Sequence, residues 1–132
     1  NDKHFIFDLI RKIVNAKNGE DEVVLWGDGT QTRELIFIDD AVDIILQSMS
    51  PKTPKIINLS SGKPYKLKEY AQTICDIVDY DYNLIKWDTD AFVGSKNKKL
   101  INTHLKGYKF TSLKKGLTKT IKYYEDSISS SK

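Results

Sequence analysis

The chain has 132 residues, 39% of them hydrophobic, and 21 Lys and Arg against 18 Asp and Glu give a net charge of +3. That length supports one compact domain with a real core, and the charge, spread along the chain except at Lys96, Lys98 and Lys99, lacks the dense basic face of a dedicated nucleic-acid binder. The lone Cys75 excludes an internal disulfide, no second thiol offers a metal-ligand spacing, and no run approaches the roughly 18 apolar residues of a membrane span, so a cytoplasmic chain without a signal peptide is expected.

The chain begins without methionine, already inside a helical pattern, and is expected to be a piece of something longer. From His4 to Lys17, Phe5, Ile6, Leu9, Ile10, Ile13 and Val14 fall at i, i+3, i+4 spacing and predict a helix, which Asn18-Gly19 ends. Val23 to Trp26 is a short β-branched apolar run; Gly27-Asp28-Gly29 turns the chain, and Glu34 to Ile38 predicts a second strand in a hairpin-like connection whose direct pairing spacing does not reveal. Asp39 or Asp40 is expected to cap a helix running to Met49, with Val42, Ile45, Leu46 and Met49 as its apolar face. After the loop Ser50-Pro51-Lys52-Thr53-Pro54, Lys55 to Leu59 reads as a buried strand and Ser60-Ser61-Gly62 as its turn. Leu67, Tyr70, Ala71, Ile74 and Val78 predict a helix over 67–78. Tyr82 to Trp87 reads as a strand, Asp88 to Asn97 as irregular, and Asn102 to Leu105 as one helical turn. Ser112 opens a last helix with Leu113, Leu117, Ile121 and Tyr124 on one side, and Ser127 to Lys132 reads as a frayed tail. The alternation of helices and short strands gives an α/β class, a mixed α+β lobe, with residues 1–132 as one domain and no internal repeat.

The stretch richest in chemistry is Trp26-Gly27-Asp28-Gly29-Thr30-Gln31-Thr32-Arg33-Glu34, where a glycine-pinned turn places an aromatic ring near a permanent cation, as a phosphorylated ligand requires. No Gly-x-Gly-x-x-Gly or Gly-x-x-Gly-x-x-Gly turn, Walker motif or Tyr-x-x-x-Lys pair occurs, so an oxidoreductase parent would lack its cofactor-binding half here.

Trp26-Gly27-x-Gly29-x-x-x-Arg33-Glu34 followed by an apolar run and Asp39-Asp40 resembles the carboxyl-terminal half of the extended short-chain dehydrogenase/reductases that act on nucleotide sugars, the NAD-dependent epimerase/dehydratase family. His4-Phe5-Ile6-x-x-Leu9-Ile10-Arg11-Lys12, Ile57-Asn58-Leu59-Ser60-Ser61-Gly62 and Ser112-Leu113-x-x-Gly116-Leu117 match further family segments in order, from His4 to about Tyr124. Within the family the resemblance is to the GDP-L-fucose synthase group, NADP-dependent 3,5-epimerases and 4-reductases of GDP-4-keto-6-deoxymannose.

The resemblance implies a substrate-binding lobe whose Rossmann part is absent. That part would supply NADP and the Ser, Tyr and Lys that move hydride and protons, so the lobe alone would be inactive. A C4 ketone would acidify its neighbouring carbons for epimerisation through an enolate before hydride reduces it. The ligand implied is a nucleotide-diphosphate sugar, the other partner the chain's own N-terminal Rossmann domain, and the parent a homodimer. His4 matches a histidine near the nicotinamide and sugar, making it the candidate catalytic acid and cofactor contact, since imidazole titrates near neutrality. Lys12 falls at a basic substrate contact that is usually arginine, with Arg11 beside it as a substitute. Trp26 and Arg33 match substrate contacts, and the guanidinium suits a two-point contact with diphosphate.

The chain departs from the family pattern where Val93 replaces an acidic substrate ligand and one residue is inserted in 93–100, and where Leu35-Ile36-Phe37-Ile38 lacks a strand histidine. Another GDP- or UDP-sugar 4-epimerase, dehydratase or reductase therefore stands as an alternative. So does a stand-alone anion-binding or oligomerisation module using Lys12, Arg33 and the lysine loop. Each residue also has a plainer reading. His4 is a cap, Trp26 a core or rim aromatic, Arg33 a surface ion pair with Glu34 or Asp28, Asp39-Asp40 capping acids rather than a metal site, the lysines a solvated loop and Cys75 packing. If half the fold is absent, the apolar surface that packs against it is expected to lie exposed.

Overall fold

The computed structural model describes residues 4–50, 56–97, 100 and 103–130. Helix α1 (Phe5–Lys17) buries Leu9, Ile10, Ile13 and Val14, four members of its sequence stripe, and ends at Asn18 with Gly19 at φ +81°. Helix α3 (Leu67–Val78) buries Tyr70, Ala71, Ile74 and Cys75, and helix α4 (Leu113–Ser129) contributes Leu117 and Ile121. These three faces, with Val23, Leu25 and Ile85, form one apolar core. Ser112 caps α4 by accepting from the Lys115 amide. The polar stretch from Ser127 to Ser129 stays helical rather than frayed, as its hydroxyls bond carbonyls one turn back.

The strands differ most from expectation. All four are three residues long: β1 (Val24–Trp26), β2 (Thr32–Glu34), β3 (Pro64–Lys66) and β4 (Lys86–Asp88). The first two do not form a hairpin. Strand β1 runs parallel to β4, Leu25 opposite Trp87, whereas β2 pairs antiparallel with β3, Arg33 opposite Tyr65. The glycine turn is thus a crossing between two small sheets. Gly29 (φ +73°) is required there because a Cβ would meet the Trp87 ring at 2.7 Å. Leu35 to Phe37 lies outside β2, and Tyr82–Leu84 is a 3₁₀ turn ahead of β4. Another 3₁₀ turn spans Thr103–Leu105; Asn102 lies outside the described residues, as do Pro51 to Lys55 of the expected loop and strand.

Helix α2 (Ile38–Ser48) starts one residue before the expected caps, with Phe37 as N-cap and no side-chain cap bond. Asp39 and Asp40 therefore stand inside the first turn, where the dipole still favours them. Asp40 is buried and accepts from the Thr111 amide at 2.8 Å and hydroxyl at 2.9 Å; Asp39 faces Lys119 at 3.3 Å. The apolar face read from sequence points outward. Val42, Ile45, Leu46 and Met49 are exposed together with Ile38, while Ala41 and Ile44 pack inward. Residues 56–59 belong to neither sheet, and Ile56 is 85% exposed rather than buried.

These two kinds of apolar position predict opposite costs. Ile74→Ala, inside the core, is expected to lower unfolding free energy by about 2–5 kcal/mol in urea titrations, and Val42→Ala on the open stripe to change it by about 0.5 kcal/mol or less.

Candidate functional site

A cavity of about 260 Å³ opens between the first turns of α1, the end of β1, the glycine turn and the 92–93 segment. Three of the five residues singled out from sequence line it: Lys12, Trp26 and Arg33, joined by Asp8, Gln31, Phe92 and Val93 over an apolar floor that includes Phe5, Leu9 and Leu25. His4 and Arg11 are not in its lining. His4 is the exposed N-cap of α1 and makes no side-chain cap bond; Arg11 points to the outer side of the helix and pairs with Asp8.

Local backbone bonding fixes the geometry. The first amides of α3 have no partner within their helix. Leu67 donates to the Gln31 carbonyl at 2.9 Å and Lys68 to that of Gly29 at 3.1 Å, so the glycine turn is pinned against a helix end. Strand β2 carries Arg33 out of this turn. The Tyr70 hydroxyl, buried in the core, donates to the Arg33 carbonyl at 3.0 Å and fixes the cation's backbone.

The Arg33 guanidinium pairs with neither Glu34 nor Asp28. It donates to the carbonyls of Thr32 at 2.7 Å, Ser95 at 2.9 Å and Val93 at 3.5 Å, with no acid partner among the described residues. Carbonyl dipoles leave its charge uncompensated, which suits it to an anion. Asp28 is turned aside, accepting from the Thr30 amide and hydroxyl, whose bonds hold its carboxyl below the usual range. Lys12 donates to the Val24 carbonyl at 3.2 Å and lies 3.2 Å from Asp8. Burial pushes the Asp8 carboxyl up, and the combined hydrogen bonds and charges of Arg11 and Lys12 outweigh it, leaving Asp8 ionised below its ordinary value. Trp26 is 61% exposed at the rim and Phe92, also exposed, lines the same mouth.

Glu34 binds two segments behind the site. Its carboxylate accepts from the Ser60 hydroxyl, from the Gly62 amide at 3.0 Å and from the Leu100 amide at 3.4 Å. Two residues escaped the sequence reading. Gln31 is an isolated polar residue without periodicity, and the one signal for it is its place between Gly29 and Arg33. Phe92 lay in a segment read only as irregular. Lys96 supplies a carbonyl to the Thr32 amide, whereas Lys98 and Lys99 lie outside the described residues. Among the described residues no cluster of His, Cys, Asp and Glu could hold a metal, and no helix is long and apolar enough to cross a membrane.

Residues 1–60 match the NAD dependent epimerase/dehydratase family. Over 130 residues the chain is 33% identical to GDP-L-colitose synthase of Yersinia pseudotuberculosis, covering 94% of this chain and 42% of that protein. It is 31% identical over 137 residues to GDP-L-fucose synthase of Escherichia coli K12, covering 92% and 42%. A solved GDP-L-fucose synthetase from Naegleria fowleri bound to NADP superposes with a TM-score of 0.83 at 23% identity, over 96% of this chain and 41% of that one. The chain thus spans about two fifths of the length of the relatives it matches.

Glu34 carries a pH signature. Burial raises its pKa, but the bonds from Ser60, Gly62, Leu100 and Ser61 outweigh this and leave it lowered from 4.5. A depressed carboxyl stabilises the fold above its unfolded value and loses that contribution as pH falls through the folded value. Glu34→Gln is expected to cost on the order of 1–2 kcal/mol at pH 7, with the gap in urea midpoint closing progressively below about pH 4.5.

Proposed function

Since the chain belongs to the NAD dependent epimerase/dehydratase family, we propose that it is the nucleotide-sugar-binding lobe of a GDP-L-fucose synthase-like epimerase/reductase, acting on a GDP-4-keto-6-deoxy sugar. The observation that carries this reading is Arg33. A guanidinium held, among the described residues, by carbonyls alone, at the mouth of a cavity beside Lys12 and the exposed ring of Trp26, is arranged for a ligand with both phosphate and a flat or sugar ring. Arg33 clamps the diphosphate, Lys12 adds a second cation and Trp26 covers a ring face. The lysine replaces planar two-point contact with a point charge, so Arg33 carries the orientation.

NADP supplies the hydride in such chemistry, and the residues of this chain do not fit a dinucleotide cradle, since its glycines form no phosphate-binding fingerprint between strand and helix. No reaction step is therefore assigned to this lobe. Its role is to bind and orient the sugar nucleotide, and alone it is inactive. In the isolated lobe His4, at the exposed start of α1, has no reacting group beside it among the described residues; its role as acid and cofactor contact belongs to the assembly with a second domain.

That second domain is a Rossmann-type partner corresponding to the remaining three fifths of the relatives' length. Two open features support this. Among the described residues the apolar face from Ile38 to Met49 lies exposed, and residues 56–59 lie outside either sheet with Ile56 exposed as well. Both lead from a second cavity of about 440 Å³, lined at one edge by Ile38 and at the other by Ser61 and Lys63. An exposed apolar stripe beside a pocket suits a packed helix or sheet layer better than a small ligand.

Calorimetric titration tests the binding role: the chain is expected to bind GDP, Arg33→Ala to lose that binding, and Lys122→Ala, an exposed cation on α4, to keep it. Equal loss in both variants would mean nonspecific charge attraction and favour a stand-alone anion-binding module. For the docking face, the isolated chain is expected to self-associate in sedimentation velocity, and Val42→Glu with Leu46→Lys to shift it toward monomer. A monodisperse wild-type monomer would count against the missing-partner reading.

A further inference from the structure

Gln31 has a side chain that the chain's own packing and hydrogen bonding do not explain. It is 7% exposed and lines the cavity. Its Nε2 donates to the Trp26 carbonyl at 3.0 Å, while Oε1, closed off from solvent, has no partner among the described residues. Reversing the amide would set Oε1 against the Trp26 oxygen, acceptor against acceptor, so the orientation is fixed by its surroundings. A buried acceptor left without a donor is destabilising, and a methionine would fill the same space without that cost. Neighbouring backbone donors are already engaged: Thr32 on Lys96, Leu67 on Gln31 itself, Lys68 on Gly29 and Thr30 on Asp28.

We propose that Gln31 is a specificity-determining residue whose Oε1 accepts a hydrogen bond from an N–H or O–H of the nucleoside-diphosphate ligand held by Arg33. This rests on the nucleotide-sugar reading above and adds to it a reader of ligand identity. The access route is also built in. A Cβ at Gly27 would meet Val93 Cγ1 at 2.5 Å and the two Gln31 carboxamide atoms at 3.2 and 3.3 Å, so the valine methyl and the carboxamide share one side of that glycine. The segment bearing Val93 is held by Arg33 through the carbonyls of Val93 and Ser95. A phosphate competes for those same guanidinium N–H groups. Lys96 and Asn97 stay anchored on Thr32, so its arrival loosens only the 93–95 stretch and opens Oε1, and charge is read first and the hydrogen-bond donor second.

The test is calorimetry on the 132-residue chain with inorganic pyrophosphate, GDP and GDP-mannose. Gln31→Met is expected to bind pyrophosphate as wild type does and to bind at least one of the two nucleotides about tenfold more weakly. A loss already present with GDP places the donor on the nucleoside; a loss only with GDP-mannose places it on the sugar. Gln31→Asn, which keeps the carboxamide but withdraws it by one methylene, is expected to show the same loss and carries the test if the methionine variant does not fold. Unchanged affinities for all three ligands, with at most a shift in melting temperature, would overturn the inference and make Gln31 purely structural. If Arg33→Ala abolishes binding while the Gln31 variants do not weaken it, this inference alone falls; if wild type binds none of the three, it falls together with the binding role.

Discussion

A buried phenol holds the core and the site in one frame. Tyr70 lies wholly inside on α3, edge-on to Phe5 of α1 and Tyr65 of β3, and its hydroxyl reaches the Arg33 carbonyl on β2. Burial, reinforced by Tyr65 and the charge of Glu34, lifts its pKa well above the ordinary phenol value, so it remains a donor at neutral pH. One ring thus joins two helices, a strand and the backbone of the candidate phosphate clamp. In a lobe whose strands are only three residues long, sheet hydrogen bonds alone would locate Arg33 poorly, and contact with the helical core supplies the missing rigidity.

Around that fixed backbone the charged groups are arranged with unequal freedom. Asp8 is ionised and committed to Arg11 and Lys12, Asp28 to its own turn and Glu34 to Ser60 and Gly62. Among the described residues Arg33 has only carbonyl partners, two of them on the segment that lies over the cavity. An anion therefore competes with backbone dipoles rather than with a carboxylate, the weaker of the two competitors. Val93 has the same direction: an apolar side chain lines the cavity beside Arg33 and brings no negative charge there.

Periodicity made the helices legible and left the strands obscure. The boundaries of α3 follow its apolar spacing because nearly every apolar residue there faces one core. The same pattern in α2 located the helix but misled about its inner face, since a stripe shows where a hydrophobic contact belongs and not whether the contacting surface is present in the chain. Three-residue strands carry too little alternation to be read, β3 begins with a proline, and the partner of β1 lies some sixty residues along the chain. In the site, Lys12, Trp26 and Arg33 could be chosen by residue type and spacing. Gln31 could not, because its significance arises from which hydrogen bonds its surroundings fail to provide, a property visible only in three dimensions.

The contact of Lys12 with the Val24 carbonyl has a consequence apart from ligand charge. Among the described residues strand β1 is paired with β4 on one side only, so its other edge presents backbone groups able to pair with a foreign strand. The Lys12 ammonium, paired with Asp8, donates to that edge and occupies the Val24 carbonyl that an incoming strand would need. The side chain that faces the cavity therefore also takes one acceptor out of an exposed sheet margin, leaving fewer groups there for intermolecular strand addition.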